Sequence, residues 1–185
     1  PPGAFLPSAE RYGLSIKLDE WVVTNLLKSL FLHESFNAGG RHYWVNLSGA
    51  SVGDPKFCQK LLNLMKDSPL PPGMVNFEIT ETAVIRSVNE AARLISALKE
   101  MGCAFAFDDF GSGLSSFGYL KKLKVDYLKI DGMFVRDIVS DKTDRIFVKS
   151  IIDIAHTLNI KAIAEFVEDD EILEVIRSLG ADYVQ

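Results

Sequence analysis

Cysteine, histidine and long apolar runs are scarce in this sequence. Its 185 residues include two cysteines and three histidines, and Cys58 and Cys103 lack the spacing of a structural metal site or a disulfide framework. No apolar run approaches the ~20 residues of a membrane-spanning helix, and no signal peptide is visible. These absences predict a cytoplasmic segment that makes no membrane contact, whether or not the full-length protein is membrane-anchored.

An excess of positive charge is also absent. There are 20 Lys and Arg residues against 25 Asp and Glu residues, and the net charge of −5 does not favour binding to a nucleic acid polymer. Because 48% of the residues are hydrophobic, we expect a sizeable core and no extensive disorder. The chain starts at Pro1 rather than Met and ends directly after an apolar pair. We therefore interpret residues 1–185 as a single domain cut from a larger protein.

Predicted helices and strands alternate along the chain. Capping residues mark helix boundaries, with starts at Asp54–Pro55, Ser87–Glu90 and Asp169 and ends at Gly102 and Gly180. Further helices are predicted over residues 18–33 and 142–158. Strands are predicted over residues 43–48, 75–80, 103–109, 125–131 and 160–166 and from residue 182. The alternation predicts an α/β fold with a parallel sheet, either doubly wound or closed into a barrel.

Polar side chains occur at the C-terminal end of every predicted strand. They are Asn46, Glu78 and Glu81, Asp108 and Asp109, Lys129 and Asp131, Glu165 and Glu168, and Gln185. A barrel places its active site at this end of its strands, whereas a doubly wound sheet concentrates function on two or three strands. Six contributing strands therefore favour a (β/α)8 TIM-type barrel that lacks its first strands and the end of its last strand.

This set of polar residues contains carboxylates, an amide and a lysine but neither histidine nor cysteine. Hard oxygen ligands select Mg²⁺, Mn²⁺ or Ca²⁺, and carboxylates crowded together destabilise one another without a cation. Two metal ions ~3.5–4 Å apart, bridged by one aspartate, suit hydrolysis of a phosphoester. Lys129 could then orient or help to deprotonate the attacking water, or hold the phosphate.

Each of these residues also has a structural alternative. Asp108 and Asp109 in "AFAFDDFGSGLSS" could cap the turn that follows, although one aspartate would suffice as a cap. Glu81 could be an exposed loop acid, Lys129 a structural ion-pair partner, and Glu168 a residue that favours a helix N-terminus. We prefer the functional interpretation because all of these residues share one end of the predicted strands.

The segments "NLS", "FEITET", "FDDFGSGLSSFGYLKKLKVDYLKID" and "AEFVE" closely resemble the EAL-domain cyclic-di-GMP phosphodiesterases. The resemblance extends over essentially the whole chain. It implies a (β/α)8 barrel that hydrolyses cyclic di-GMP to linear pGpG with two Mg²⁺ or Mn²⁺ ions and that Ca²⁺ inhibits. It also implies a homodimer coupled to the active site through residues 110–116, and fusion to upstream sensory or GGDEF-type domains.

The resemblance also assigns roles to individual residues. The metal ligands that it implies, with Asp108 bridging the two ions, are Asn46, Glu78, Asp108, Asp109, Glu165 and Glu168. Lys129 matches a lysine that contacts the catalytic water, and Glu81 matches a glutamate that steadies the "DDFGSG" loop; with Glu165 they form the implied catalytic set. The substrate contacts that we expect are Gln185, Asp131 and Ser112.

The sequence departs from the family pattern in two places. The glutamate of the Glu-Ala-Leu triplet and the arginine after it are absent, so we expect the intact domain to be active and this segment alone to be inactive. Phe166 replaces the glycine of Ala-Glu-Gly-Val-Glu. If Phe166 lies in the strand, alternation directs its ring away from Glu165 and against helices or a loop.

Two other functions stay open at this point. One is a receptor that binds cyclic di-GMP without cutting it, and the other is an enolase-type barrel that uses Mg²⁺ and a lysine base. Catalysis on cyclic di-GMP is favoured because every expected ligand within the chain is present.

Overall fold

The computed structural model describes residues 2–32, 40–85, 87–111 and 118–185. The six strands found in these ranges form one parallel sheet in which neighbouring strands follow chain order. This confirms the predicted α/β class with a parallel sheet. The chain divides into two compact units, an N-terminal unit (Pro1–Phe105) and a C-terminal unit (Ala106–Gln185); a single domain stays a prediction. Within the described ranges, no helix is long and apolar enough to cross a membrane.

The N-terminal unit surrounds the first two strands with helices. Its elements are α1 (Pro2–Arg11), α2 (Ser15–Leu32), β1 (Tyr43–Leu47), α3 (Gly49–Val52), α4 (Pro55–Lys66), β2 (Val75–Thr80), α5 (Glu81–Ile85) and α6 (Val88–Glu100). The rings of Phe77 and Phe105 lie 5.6 Å apart in its core, to which the fully buried Leu61 and Leu98 also belong. The sequence analysis did not anticipate helix α1.

Two of the predicted capping signals of this unit have different outcomes. Asp54 caps α4 as predicted, since its Oδ1 accepts from the Phe57 amide at 2.7 Å and Pro55 follows as the first helical residue. Ser87 is the N-cap residue of α6, as predicted, but its capping box with Glu90 is not formed. Ser87 has φ −152° and ψ 52° rather than the extended conformation of Asp54, and its side chain makes no capping hydrogen bond.

The C-terminal unit contains the rest of the sheet. Its elements are β3 (Phe105–Phe110), α7 (Leu120–Leu123), β4 (Tyr127–Ile130), a 3₁₀ helix (Gly132–Phe134), α8 (Lys142–Thr157), β5 (Lys161–Ala164), α9 (Asp170–Leu179) and β6 (Tyr183–Val184). Phe107, Leu128, Ile130 and Ile176 are completely buried and form its core. Helix α9 starts and ends as predicted, because Asp169 accepts from the Ile172 amide at 2.8 Å and Gly180 adopts φ +94°.

Strands β4 and β5 are shorter than predicted, and this changes the position of three residues. Strand β4 ends at Ile130, and Asp131 instead caps the 3₁₀ helix by accepting from the Met133 amide at 2.8 Å. Strand β5 ends at Ala164, because Phe166 has φ +56° and cannot continue an extended strand. Asp131, Glu165 and Phe166 therefore lie just past the ends of their strands.

Asp182 joins strands β5 and β6 near their start. Its carboxylate accepts from the Ala162 amide at 2.9 Å and from Lys161 Nζ at 2.6 Å, and His156 Nε2 lies 2.8 Å from it. Burial alone would raise the pKa of Asp182, but these hydrogen bonds outweigh burial and lower its pKa from 3.8 to about 2. The junction between the two strands is thus held by an ionised carboxylate.

Candidate metal centre

Three strands of the C-terminal unit bring Asp108, Lys129 and Glu165 together. Lys129 Nζ lies 2.8 Å from Asp108 Oδ1 and 2.8 Å from Glu165 Oε1. All three side chains are largely buried, with 5% of Lys129, 14% of Asp108 and 12% of Glu165 exposed. An ammonium group thus lies between two carboxylates in a site with little solvent, where charges interact more strongly than in water.

A bulge in β3 allows two consecutive aspartates to contribute to this site. Strand β3 advances from Phe107 to Phe110 while its partner β4 advances only from Leu128 to Ile130, so β3 contains one extra residue there. Asp109, within the bulge, has φ +54°, a left-handed conformation that aspartate tolerates better than most residues. Adjacent side chains of a regular strand face opposite sides, and a bulge changes where they point.

The bulge leaves three carboxylates close together. Oxygen atoms of Asp108, Asp109 and Glu165 all lie within 4.8 Å of one another. Burial, followed by the charge of Asp108, raises the pKa of Asp109. Burial raises the pKa of Glu165 as well, and the hydrogen bond from Lys129 only partly offsets it. Asp109 and Glu165 are therefore harder to ionise here than in water, which is the situation that a bound cation relieves.

The surroundings of Asp108 Oδ1 indicate whether the site can accommodate a cation. It is buried and makes no directional hydrogen bond among the described residues, although Lys129 Nζ lies at ion-pair distance from it. Such an oxygen keeps a lone pair available for another cation. With carboxylate oxygens from Asp109 and Glu165 beside it, the donor set suits Mg²⁺ or Mn²⁺ rather than a metal that prefers nitrogen or sulphur ligands.

The N-terminal unit holds three further predicted residues. Asn46 on β1 and Glu78 on β2 are paired in register, which places their side chains on the same face of these parallel strands. Phe77 and Ile79, on either side of Glu78, are buried on the opposite face. Glu81 is the first residue of α5 and is only 1% exposed, so the alternative of an exposed loop acid is wrong.

Two of the remaining predicted site residues, Glu168 and Gln185, follow strands β5 and β6. Glu168 is exposed and does not belong to the three-carboxylate cluster. The Gln185 side chain is also exposed, while its backbone amide donates to Ala164 O at 2.9 Å and its carbonyl accepts from the Val167 amide at 3.0 Å. Ser112 and the rest of residues 112–116 lie outside the described residues. The metal role of Glu168 and the substrate roles of Gln185, Asp131 and Ser112 stay predictions.

The sequence analysis missed two residues that pack against Phe166, the residue after Glu165. The guanidinium carbon of Arg136 lies 4.3 Å from the centroid of the Phe166 ring. A Cβ atom on Gly132 would lie 2.1 Å from Cδ2 of the same ring, so Gly132 is the residue that allows this contact. Phe166 therefore packs against the turn after β4, as expected of a loop contact, although strand alternation is not the reason. The "DGMF" segment offered the only signal, a glycine directly after Asp131.

Comparison with known proteins places this geometry in a family. The EAL domain family model matches residues 1–185. Cyclic di-GMP phosphodiesterase PdeF of Escherichia coli is 38% identical over 185 residues, and PdeB of Shewanella oneidensis, also named a cyclic di-GMP phosphodiesterase, is 36% identical over 190. Each alignment covers 100% of this chain but only 24% and 21% of these relatives, respectively, so the chain spans less than a quarter of their length.

A solved structure agrees with the sequence comparisons. The FimX EAL domain from Pseudomonas aeruginosa bound to c-di-GMP superimposes with a TM-score of 0.87 and 32% identity, covering 100% of this chain and 74% of that one. This similarity confirms the predicted fold of the TIM-barrel type. The chain therefore belongs to the EAL domain family.

Proposed function

We propose that this chain is the catalytic part of a metal-dependent phosphodiesterase that hydrolyses cyclic di-GMP to linear pGpG. The observation that carries the proposal is the cluster of Asp108, Asp109 and Glu165 with Lys129 between two of its carboxylates. The names of the two curated relatives point to the same substrate and reaction. The activity, substrate and partners of the full-length protein are part of this proposal, because the chain spans less than a quarter of those relatives.

The residues of the cluster would hold two Mg²⁺ or Mn²⁺ ions. Bound divalent ions supply Lewis acidity toward the phosphoester and a water of lowered pKa. Asp108, with its buried Oδ1, is proposed as the bridging ligand, and Asp109 and Glu165 as ligands of the second ion. The family resemblance supports Asn46, Glu78 and Glu168 as further ligands. Ca²⁺ is proposed as an inhibitor because it prefers more ligands at longer distances than Mg²⁺ does.

Lys129 performs the second part of the proposed chemistry. Its ammonium group is held 2.8 Å from both Asp108 and Glu165 and has little freedom to move. A donor fixed in this way can orient an attacking water or stabilise negative charge on a phosphoryl oxygen without reorganising during the reaction. Glu81, buried at the start of α5, is proposed to act indirectly by steadying the loop after Asp109. Gln185, Asp131 and Ser112 are proposed substrate contacts.

A receptor that binds cyclic di-GMP without cutting it is the second candidate. The observation that favours it is the structural match to the FimX EAL domain, which was solved with c-di-GMP bound. One experiment separates the candidates: the intact protein is incubated with cyclic di-GMP and Mn²⁺, and bound ligand and linear product are both measured. Linear pGpG supports the phosphodiesterase, and binding without product supports the receptor. If neither binding nor product is detected, both candidates are overturned. Family membership gives no support to the enolase-type alternative.

We also propose that the protein forms a homodimer and carries upstream sensory or GGDEF-type domains. Apolar side chains on α8 and around the 3₁₀ helix are exposed, namely Ile146, Phe147, Met133 and Val139. An apolar patch of this kind is typical of a surface that another molecule covers. The short span of this chain within its relatives supports additional domains. A cytoplasmic location remains part of the proposal.

A further inference from the structure

Phe166 adopts a backbone conformation that is unusual for its residue type. Its φ of +56° lies in the left-handed region, where glycine is the default and a bulky side chain is disfavoured. It directly follows Glu165, one of the three clustered carboxylates. A residue kept in such a conformation needs surrounding contacts that hold it there, and such residues concentrate at functional sites.

Two residues of the turn after β4 supply these contacts. The Phe166 ring packs so closely on Gly132 that a Cβ there would come within 2.1 Å of it. Arg136 places its guanidinium 4.3 Å from the ring centroid, within the range of a cation–π interaction. We infer that Phe166 is a positioning residue for Glu165, and that Gly132 and Arg136 fasten it. These three residues are called the Phe166 latch below.

The backbone on both sides of Phe166 shows why a latch at this place acts on Glu165. The Glu165 amide donates to Ile130 O at 3.3 Å, and the Val167 amide donates to Gln185 O at 3.0 Å. The bend at Phe166 is therefore fixed at its two ends by the neighbouring strands β4 and β6. The Phe166 ring supplies a third attachment, because it packs against the turn that follows β4. This contact restricts rotation of the backbone at Glu165 and thereby orients the Glu165 carboxylate.

The consequence concerns metal affinity, and it rests on the proposed function because Glu165 must bind an ion. A carboxylate that is already oriented loses less conformational freedom when the ion binds, and removing a supporting residue typically weakens metal binding ~10–100-fold. The latch thus holds this bend in one conformation, whereas a glycine at position 166 would leave it flexible. It should affect metal binding more than it affects folding, because Phe166 is 45% exposed and Arg136 is exposed.

The test measures the Mn²⁺ dissociation constant of the intact protein by isothermal titration calorimetry. Phe166→Ala and Arg136→Ala should each weaken Mn²⁺ binding, by about 10-fold for Phe166→Ala, and the double variant should lose less than the product of the two single losses. Gly132→Ala should also weaken Mn²⁺ binding, because the added Cβ displaces the ring. Phe166→Tyr keeps an aromatic ring and should bind Mn²⁺ as the wild type does. Asn159→Gly is the matched control, since Asn159 also has positive φ (+58°) but precedes the opposite end of β5.

Two further measurements make the outcomes distinct. Circular dichroism at the titration temperature verifies that each variant is folded, and Arg136→Ala, which removes no core side chain, keeps the test decisive if Phe166→Ala does not fold. Unchanged Mn²⁺ affinity in Phe166→Ala and Arg136→Ala, with affinity lost in Glu165→Gln, would overturn the latch alone. Unchanged affinity in Glu165→Gln would overturn the proposed metal site and the latch with it. A large gain in turnover in Phe166→Ala would show that the ring obstructs the site, and would also overturn the inference.

Discussion

At the scale of single residues, Lys129 compensates the negative charge of the site. It is 4% exposed and contacts Asp108 and Glu165, which would otherwise be two buried carboxylates without a compensating charge. Removing one partner of a buried ion pair leaves an uncompensated charge in a medium that solvates it poorly. A divalent cation bound to the same carboxylates could take over part of that compensation.

Lys129→Met is therefore expected to lower the free energy of unfolding by ~3 kcal/mol in the metal-free protein. Mn²⁺ should recover more stability in this variant than in the wild type, because it compensates the charges that the lysine leaves. Urea denaturation with EDTA and with Mn²⁺ measures both effects. Lys149→Met is the control: its pair with Asp153 is exposed and is expected to contribute less than ~1 kcal/mol. Equal losses in the two variants would contradict the interpretation.

Asp108→Asn should abolish most of the turnover of the intact protein with Mn²⁺. The change keeps the shape of the side chain but removes the charge from the buried oxygen beside Lys129. A loss of at least 100-fold, or about 2.7 kcal/mol in the barrier, is expected, and the neighbouring Asp109→Asn should lose less because only Asp108 is proposed to contact both ions. If Asp108→Asn retains most of its activity, the two-metal assignment is wrong.

At the scale of elements, a buried carboxylate attaches helix α2 to the turn after β1. Asp19 on α2 accepts from the Ser48 amide at 2.8 Å and from Ser51 Oγ at 2.6 Å. Ser48 in turn caps the short helix α3, where its Oγ accepts from the Ser51 amide at 3.3 Å. This network fixes the chain two residues after Asn46, so α2 contributes to the placement of a proposed ligand.

Asp19→Ala should destabilise the protein by about 2 kcal/mol, since it leaves the part-buried Ser48 amide and the buried Ser51 hydroxyl without their acceptor. Glu20→Ala changes the neighbouring residue, whose ion pair with Lys60 is on the surface, and should cost less than ~1 kcal/mol. Chemical denaturation of the two variants side by side measures the difference. Similar values for both would show that the buried network does not stabilise the turn.

The junction of β5 and β6 should give the protein a specific acid sensitivity. Asp182 has a pKa lowered from 3.8 to about 2, so the folded state binds its proton less readily than the unfolded state does. Its stabilising contribution is then fully present above pH ~4 and is lost as the pH falls toward 2. Asp182→Asn should remove on the order of 1 kcal/mol at pH 7, after allowance for solvent screening, and should flatten the decline of stability between pH 4 and 2. An unchanged decline in Asp182→Asn would refute this account.

Local capping chemistry explains which elements could be predicted from sequence. Asp54 and Asp169 start helices, and Gly102 and Gly180 follow helix ends with positive φ, because caps depend only on nearby residues. The Ser87–Glu90 signal marked the start of α6 correctly, but the Ser87 side chain makes no capping hydrogen bond because its backbone is not extended. The proximity of Asp108, Asp109, Lys129 and Glu165 could be anticipated from their type and their position after apolar strands. The bulge and the latch could not, since each depends on pairing or packing with a separate element.

At the scale of the whole molecule, the exposed apolar residues of the C-terminal unit are the surface through which we propose that two copies associate. Ile146→Glu should shift the protein from dimer to monomer in sedimentation velocity, because it puts a charge into the proposed apolar contact. Leu32→Glu is the control, an equally exposed apolar residue on α2 in the N-terminal unit. A wild-type protein that is monomeric at all concentrations, or a dimer that Ile146→Glu leaves intact, would contradict the proposed surface.

The bulge at Asp108 and Asp109 has a further consequence for how this sequence can change. Deleting either aspartate would remove the extra residue, and β3 could then match β4 along its whole length. The shortened strand would be the more regular one, and it would keep a single acidic side chain where the proposed metal site uses two. Selection for an ideal sheet and selection for the proposed chemistry thus act in opposite directions at this position, so a one-codon deletion here is expected to favour regular strand pairing while it removes a proposed metal ligand.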